Sequence, residues 1–231
     1  MIICVYALVS PAPARLSLRG VAGERLRVLT IDRIGAIVGE LRRAPAPSVT
    51  NLRRYATVIE SIAARVPSVL PARFATSVAD REELTFILQT RGSRLRQRLR
   101  AVRGRSQMTI RLMIESESGD RPFASRSTVK DRTRLRLGYG ATQGTQYLQR
   151  RRAMAAAGRA VPAFEPIRAA VQRYIKDERI DRREGVITIN HLVPRAAAAR
   201  YRDAVERAAD ENRMRLIVSG PWPPYAFADT W

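Results

Sequence analysis

Apolar residues along this chain fall into two rhythms, one of period two and one of period three to four, and their succession outlines its elements. Ile2 to Val9 is a short run rich in β-formers and predicts a strand. Pro11 and Pro13 break the chain after it, and Gly20 with Gly23 marks a turn. Two further runs, Leu26 to Ile31 and Ile34 to Val38, are separated only by Asp32-Arg33, which predicts a β-hairpin.

The rhythm changes after a stiff Ala-Pro-Ala-Pro connector at 44–47. Leu52, Tyr55, Ile59, Ile62 and Val66 recur every three or four residues, which predicts a core-facing helix capped by Ser48 or Thr50 and ended by Pro67. Val69 to Phe74 is apolar but contains Pro71, so it reads as an edge strand or an extended link. Asp80, Glu82 and Glu83 suit the positive end of a helix dipole. Leu84, Leu88, Leu95, Leu99 and Val102 carry an apolar stripe onwards, with a bend expected near Gly92. Met108, Ile110, Leu112 and Ile114 then alternate with more polar neighbours as a strand does.

Residues 116–140 break both rhythms with Ser, Gly, Pro and then Arg, and read as an exposed basic loop. Beyond it the pattern predicts a helix over 142–157, another from Pro162 and Pro166 to 178, and a strand from Val186 to Val193. Pro194 opens a helix with Tyr201, Val205, Ala208 and Asn212 on one face, and Met214 to Val218 supplies a last strand that Gly220 stops. This order predicts an α+β protein of two small domains, 1–105 and 106–231, the second with helices on one face of its sheet.

With 231 residues, 45% of them hydrophobic, the chain is long enough to bury a core. Its single cysteine, Cys4, excludes an internal disulfide framework and a cysteine zinc site, and its single histidine, His191, excludes a multi-histidine metal centre. His191 alternates with Ile187 and Ile189 on its strand, where a packed or rim imidazole is a plainer reading than a catalytic base. Glu115 with Glu117, and Asp177 with Glu178, read as solvated acids. No phosphate-binding glycine motif is present, and Gly138, Gly140 and Gly144 read as a flexible turn. The expectation is a chain that is not an enzyme and that uses no cofactor and no metal. Ile2 to Val9 is too short to cross a membrane and lacks a preceding basic residue, and no other run is long enough, so the expected location is the cytoplasm, away from membranes.

Charge adds a second candidate. Lys and Arg number 42 against 21 acids, a net +21, and every basic residue except Lys130 and Lys176 is arginine. Between Arg91 and Arg152, sixteen arginines and one lysine stand against four acids, the electrostatic footprint of a polyanion-binding surface. Phe123, Tyr139 and Tyr147 are the only aromatics there to stack on bases. Solvated helix faces are the plainer account, and an Arg-rich nucleic-acid binder is the alternative.

The most unusual word lies at the end, Ser219-Gly-Pro-Trp-Pro-Pro-Tyr-Ala-Phe227. Pro223 and Pro224 fix an extended backbone, and Trp222, Tyr225 and Phe227 offer apolar surface that a free tail would leave wet, so the tail is expected to dock on the body or on a partner. This word, directly after a strand, resembles the C-terminal signature of the GvpF/GvpL family of gas vesicle proteins. Cys4 to Val9, Ile34 to Val38, Val69 to Thr76, Gly144 to Leu148 and Ile189 to Pro194 are similar to further segments of that family in the same order. Ala75 stands where the family usually has glycine, Tyr55 where histidine is common, and Gln107 near a usual glutamate. The resemblance implies two α+β domains, the second like a modified ferredoxin fold. It also implies a non-enzymatic accessory or minor structural protein of the gas vesicle. Such a protein binds the shell protein and other vesicle proteins as the vesicle nucleates, with Gly220, Pro221, Trp222, Pro223, Pro224, Tyr225 and Phe227 as the candidate interaction motif.

Overall fold

A computed structural model of the chain describes residues 1–113, 161–183 and 185–228. The expected basic loop at 116–140, the expected helix at 142–157, Ile114 and the Gly144 to Leu148 segment lie outside the described residues. Two antiparallel sheets organise the rest.

In the first sheet, β1 (Ile2–Val9) is flanked by β3 (Ile34–Leu41) and β4 (Val69–Pro71), β2 (Arg27–Ile31) lies outside β3, and β5 (Ser77–Val78) also pairs with β1. The hairpin forms as expected. Ile31 pairs with Ile34, leaving only Asp32 and Arg33 to turn the chain, with φ of 52° and 64°. Two consecutive positive φ values match the twist of the flanking strands, as in a type I′ turn. β4 sits at the sheet edge, where Pro71 leaves no ladder bond unmade.

β1 is buried from Cys4 to Val9 because helices cover both its faces. On one face lies α1 (Val49–Ala63), which packs Tyr55, Ile59 and Ile62 against Cys4, Tyr6, Ala7 and Val9. An extra residue in β1 between Val5 and Ala7 bulges the strand, which is why Tyr6 and Ala7 can share this side. Ser48 caps α1 by accepting the Asn51 N–H at 3.2 Å. Leu52 is 47% exposed, so the buried stripe begins one turn later than its spacing suggested. On the other face lie α2 (Arg81–Thr90), capped by Asp80, and α3 (Gly92–Val102), with Leu84, Leu88, Leu95, Leu99 and Val102 buried. The bend expected near Gly92 is a break at Arg91 between two helices.

The second sheet contains β6 (Arg105–Met113), β7 (Asp177–Arg183), β8 (Val186–Pro194) and β9 (Leu216–Trp222), in the order β7-β8-β6-β9 with every neighbouring pair antiparallel. Met108, Ile110, Leu112, Ile187, Ile189 and Val193 pack against α4 (Glu165–Val171) and α5 (Ala198–Glu211) through Ile167, Val171, Tyr201 and Val205. Two expectations are corrected. The helix drawn to 178 ends early, in a short 3-10 turn over Gln172–Tyr174, and Asp177–Arg183 is an edge strand. Its sequence Asp-Glu-Arg-Ile-Asp-Arg-Arg has one β-former, Ile180, and charge of this kind is how an edge strand avoids pairing with other chains. The last strand also continues past Gly220 to Trp222.

The two sheets are tied together. Gly104 N–H donates to Pro67 O at 2.8 Å, and Arg195 N–H donates to Gly104 O at 3.0 Å. Leu192 of β8 belongs to the same core cluster as Leu70, Leu88 and Leu99 of the first half.

Candidate functional site

The C-terminal word forms on a bulge. Gln107 faces Trp222 and Thr109 faces Ser219, so β9 carries one more residue than β6 at this point. Gly220 occupies it with φ of 116°, and a Cβ there would come within 2.7 Å of Gln107 O and 3.3 Å of Met108 Cα. Only glycine fits that approach. The peptide bond to Pro221 is cis. Arg202 of α5 fixes the bulge by donating to Val218 O at 3.3 Å and to Gly220 O.

From there the tail crosses to the first half. Pro223 and Pro224 are buried, and a 3-10 turn over Tyr225–Phe227 sets Phe227 and Ala228 into the core cluster of α2 and α3. Ala226 N–H donates to Gln107 Oε1 at 2.8 Å, and Arg98 donates to Phe227 O at 3.3 Å. The Arg179 guanidinium lies 6.0 Å from the Phe227 ring centroid. Trp222 and Tyr225 instead remain exposed, at 39% and 36%. The expected motif residues thus separate into a buried set, Pro223, Pro224 and Phe227, and an accessible set, Pro221, Trp222 and Tyr225, with Gly220 shaping the turn.

Beside the accessible set lies a cleft of about 240 Å³ between α1 and the β6–β9 edge, lined by Glu60, Ala63, Ala64, Arg105, Ser106, Arg195 and the tail from Pro221 to Pro223. Arg195 reaches Val66 O with both terminal nitrogens at 3.3 Å and Arg105 O with Nε at 3.4 Å. Arg105 donates to Ala101 O at 2.6 Å. Trp222 Nε1 donates to Ser219 Oγ at 3.3 Å. Further along the tail a second recess is lined by Tyr55, Pro71, Ala72, Arg73, Phe74, Tyr225 and Ala228. Partial burial of the ring, and then the nearby charge of Glu60, push the Tyr225 phenol up to about 12. Arg105 belongs to the basic stretch noted in the sequence, but Ser106 and Arg195 did not stand out, because the cleft joins segments that no spacing rule connects.

His191 is fully buried, as its alternation implied, and it has partners that local sequence could not reveal. Its Nδ1 is 2.6 Å from Tyr201 Oη and its Nε2 is 2.8 Å from Glu178 Oε2. Glu178 also lies 3.2 Å from Arg168, so it is a structural acid and not a solvated one, while Asp177 is exposed. Burial, and then the charge of Glu178, raise the Tyr201 phenol well above its usual range. The cluster sits in the packed core under α5 and opens into no recess described above. Glu115, Glu117 and the glycines at 138, 140 and 144 lie outside the described residues, as does most of Arg91 to Arg152. Within the described part, Arg96 pairs with Asp32 at 3.2 Å and Arg98 and Arg105 hold backbone carbonyls, so part of the basic excess has structural work. Among the described residues no group of acids, His and Cys is placed to hold a metal ion, and no helix is long and apolar enough to cross a membrane.

The fold and the tail together define a mixed α/β protein of two antiparallel sheets, locked by its own C-terminal segment around a narrow basic cleft. Residues 3–229 match the family described as gas vesicle synthesis protein GvpL/GvpF. The chain belongs to that family. It is 26% identical to gas vesicle protein L2 of Halobacterium salinarum over 236 residues, covering 90% of this chain and 83% of that protein. The crystal structure of GvpF from Anabaena superposes with a TM-score of 0.69 at 16% identity, covering 99% of this chain and 98% of that one. GvpF from Microcystis aeruginosa superposes with a TM-score of 0.71 at 15% identity, covering 99% of each chain. The expected α+β class and the family resemblance are both borne out.

Proposed function

We propose that this chain is a non-enzymatic accessory or minor structural protein of the gas vesicle, which binds the vesicle shell protein and other vesicle proteins during nucleation and assembly. The match of residues 3–229 to a gas vesicle synthesis family carries the reading. A physical route supports it. Exposed aromatics beside a cleft rimmed by charge are typical of a protein-binding surface, and Trp222 and Tyr225 stand there on a backbone held by buried neighbours. The motif Gly220 to Phe227 therefore combines an anchor with a contact surface, and the protein works in the cytoplasm at the vesicle. Residues 1–105 and 106–231 are read as its two domains, since each range owns one sheet. The β7-β8-β6-β9 order supports the ferredoxin-like reading of the second.

Co-expression tests this. With the chain present, the shell protein and other vesicle proteins co-purify with it and vesicles form, and deleting it stops vesicle formation. Unchanged assembly on deletion, together with no co-purifying vesicle protein, overturns the reading.

A further inference from the structure

We propose that the cleft between α1 and the β6–β9 edge is a binding site for a single acidic side chain, presented by an extended segment of a partner protein. The proposal rests on the protein-binding reading above and assigns the chemistry of the contact.

Ser106 carries the first argument. Its residue is 6% exposed, it lines the cleft, and its Oγ has no hydrogen-bond partner. A buried hydroxyl without a partner destabilises the fold that contains it, so a group that accepts its hydrogen bond is favoured there. Arg105 and Arg195 line the same cleft, and the bonds of each guanidinium to backbone carbonyls leave some of its five N–H donors over. A hydroxyl donor in a cleft that two arginines line is a set that answers a carboxylate.

Charge and size narrow the ligand. Glu60 at the rim offsets one of the two arginines, so the cleft offers one net positive charge, which suits a carboxylate monoanion better than a phosphate dianion. At about 240 Å³ it falls below the range of roughly 300–1,000 Å³ usual for small-molecule sites and accommodates one side chain. Ala63, Ala64, Pro221 and Pro223 wall it with apolar surface that packs on the methylenes of such a side chain. The recess around Tyr55, Phe74 and Tyr225 lies further along the same tail, so a segment running over Trp222 meets a carboxylate site and then a largely aromatic recess that Arg73 also lines. An acidic residue followed by apolar ones in an extended segment is the occupant, and a chain of net charge +21 attracts it from a distance.

The test uses the full chain with Trp231→Phe, which leaves Trp222 as the only indole. Its fluorescence is followed against a capped Leu-Glu-Leu peptide, the Leu-Gln-Leu counterpart, and inorganic phosphate. The Glu peptide gives a saturable change, and the Gln peptide binds about tenfold more weakly because it lacks the charge. Ser106→Ala weakens the Glu peptide several-fold while raising the thermal midpoint, since it removes an unpartnered buried hydroxyl. Arg195→Gln weakens it about tenfold, with circular dichroism confirming that the fold persists. Equal affinity for both peptides, affinity unchanged in Ser106→Ala, no saturable change at millimolar peptide, or phosphate competing as strongly as the Glu peptide each overturns the assignment. If Ser106→Ala captures vesicle proteins as fully as the parent chain, the cleft proposal fails while the vesicle reading stands. If the parent chain captures none, the vesicle reading fails.

Discussion

The side chain of Gln107 and the backbone of Ala226 are 119 residues apart in sequence and 2.8 Å apart in space. Gln107 Oε1 accepts the Ala226 N–H, while its Nε2 donates to Asn190 Oδ1 at 2.9 Å and to Thr109 Oγ1 at 3.0 Å. One amide therefore joins the tail to both central strands of the second sheet, and all three polar residues are buried. Gln107→Leu leaves the Ala226 N–H without a partner and costs about 2 kcal/mol. Urea denaturation measures the loss, and limited proteolysis should cut the C-terminal segment faster. A variant as stable as the parent would show that the Gln107 amide contributes nothing to holding the tail.

Backbone geometry gives a prediction with a definite sign. Ala75 has φ of 63° and Arg33 has φ of 64°, a region that L-residues enter at a cost of roughly 1–2 kcal/mol and glycine enters freely. Glycine also loses more entropy on folding, which offsets part of the gain. Ala75→Gly and Arg33→Gly should each stabilise the fold by about 0.5 kcal/mol. Ala75→Val should destabilise it by about 1 kcal/mol, because branching at Cβ adds crowding to a conformation whose left-handed penalty alanine already bears. Thermal midpoints of the three variants check both signs.

The rhythms carried β1, the β2–β3 hairpin and three of the helices, because a run of β-formers marks a strand covered on both faces and a single stripe marks a helix with one buried face. Asp177–Arg183 was not legible as a strand. An edge strand gains its place from ladder bonds to β8, which depend on register and not on side-chain hydrophobicity. The tail word stood out, and docking of its aromatics was a sound inference for Phe227. What it could not show was which residues the docking would leave outside, since that depends on Gln107, Arg98 and α3, far away in the chain. The cleft is illegible for the same reason: Glu60, Ser106, Arg195 and Trp222 meet only after both sheets have formed.

His191 illustrates how a lone histidine can be structural. Its two ring nitrogens are both engaged, by Tyr201 and Glu178, in a core with no solvent contact at the imidazole. His191→Phe keeps the apolar packing and strands both partners, which should cost about 3 kcal/mol. Glu178→Gln retains an acceptor for the imidazole but removes the charge facing Arg168, and should cost about 2 kcal/mol. Equilibrium unfolding of both variants separates the two effects; a neutral His191→Phe would mean that the pair contributes nothing beyond shape.

Alkaline pH should loosen the chain through its tyrosines. Burial raises the phenols of Tyr6, Tyr55 and Tyr201, and Tyr225 is raised to about 12. In each case the folded state holds the proton more tightly than the unfolded chain, whose phenols ionise near pH 10, at roughly the model-peptide value. Their contribution is therefore complete below about pH 10 and is lost as pH rises from there through the folded values, because the unfolded state then binds fewer protons. Urea midpoints should be level through neutral pH and fall above about pH 10, with tyrosinate absorbance growing in step. Tyr225→Phe should make the fall shallower. A midpoint that stays level while tyrosinate forms would contradict this.

Phe227 and Trp222 sit five residues apart in one short word and should behave oppositely when each is replaced. Phe227 is 4% exposed within the core of α2 and α3, so Phe227→Ala opens a cavity and should cost about 3–5 kcal/mol. Trp222 is 39% exposed and donates only to Ser219, so Trp222→Ala should change stability by less than about 1 kcal/mol. In a vesicle assembly assay the order reverses in meaning. Phe227→Ala impairs assembly only as far as it unfolds the chain, and a lower temperature should restore it. If Trp222 is the proposed contact, Trp222→Ala should leave a stable chain that fails to hold its partner at any temperature. If both variants lose assembly in proportion to their lost stability, then the word serves the fold alone and the contact surface lies elsewhere.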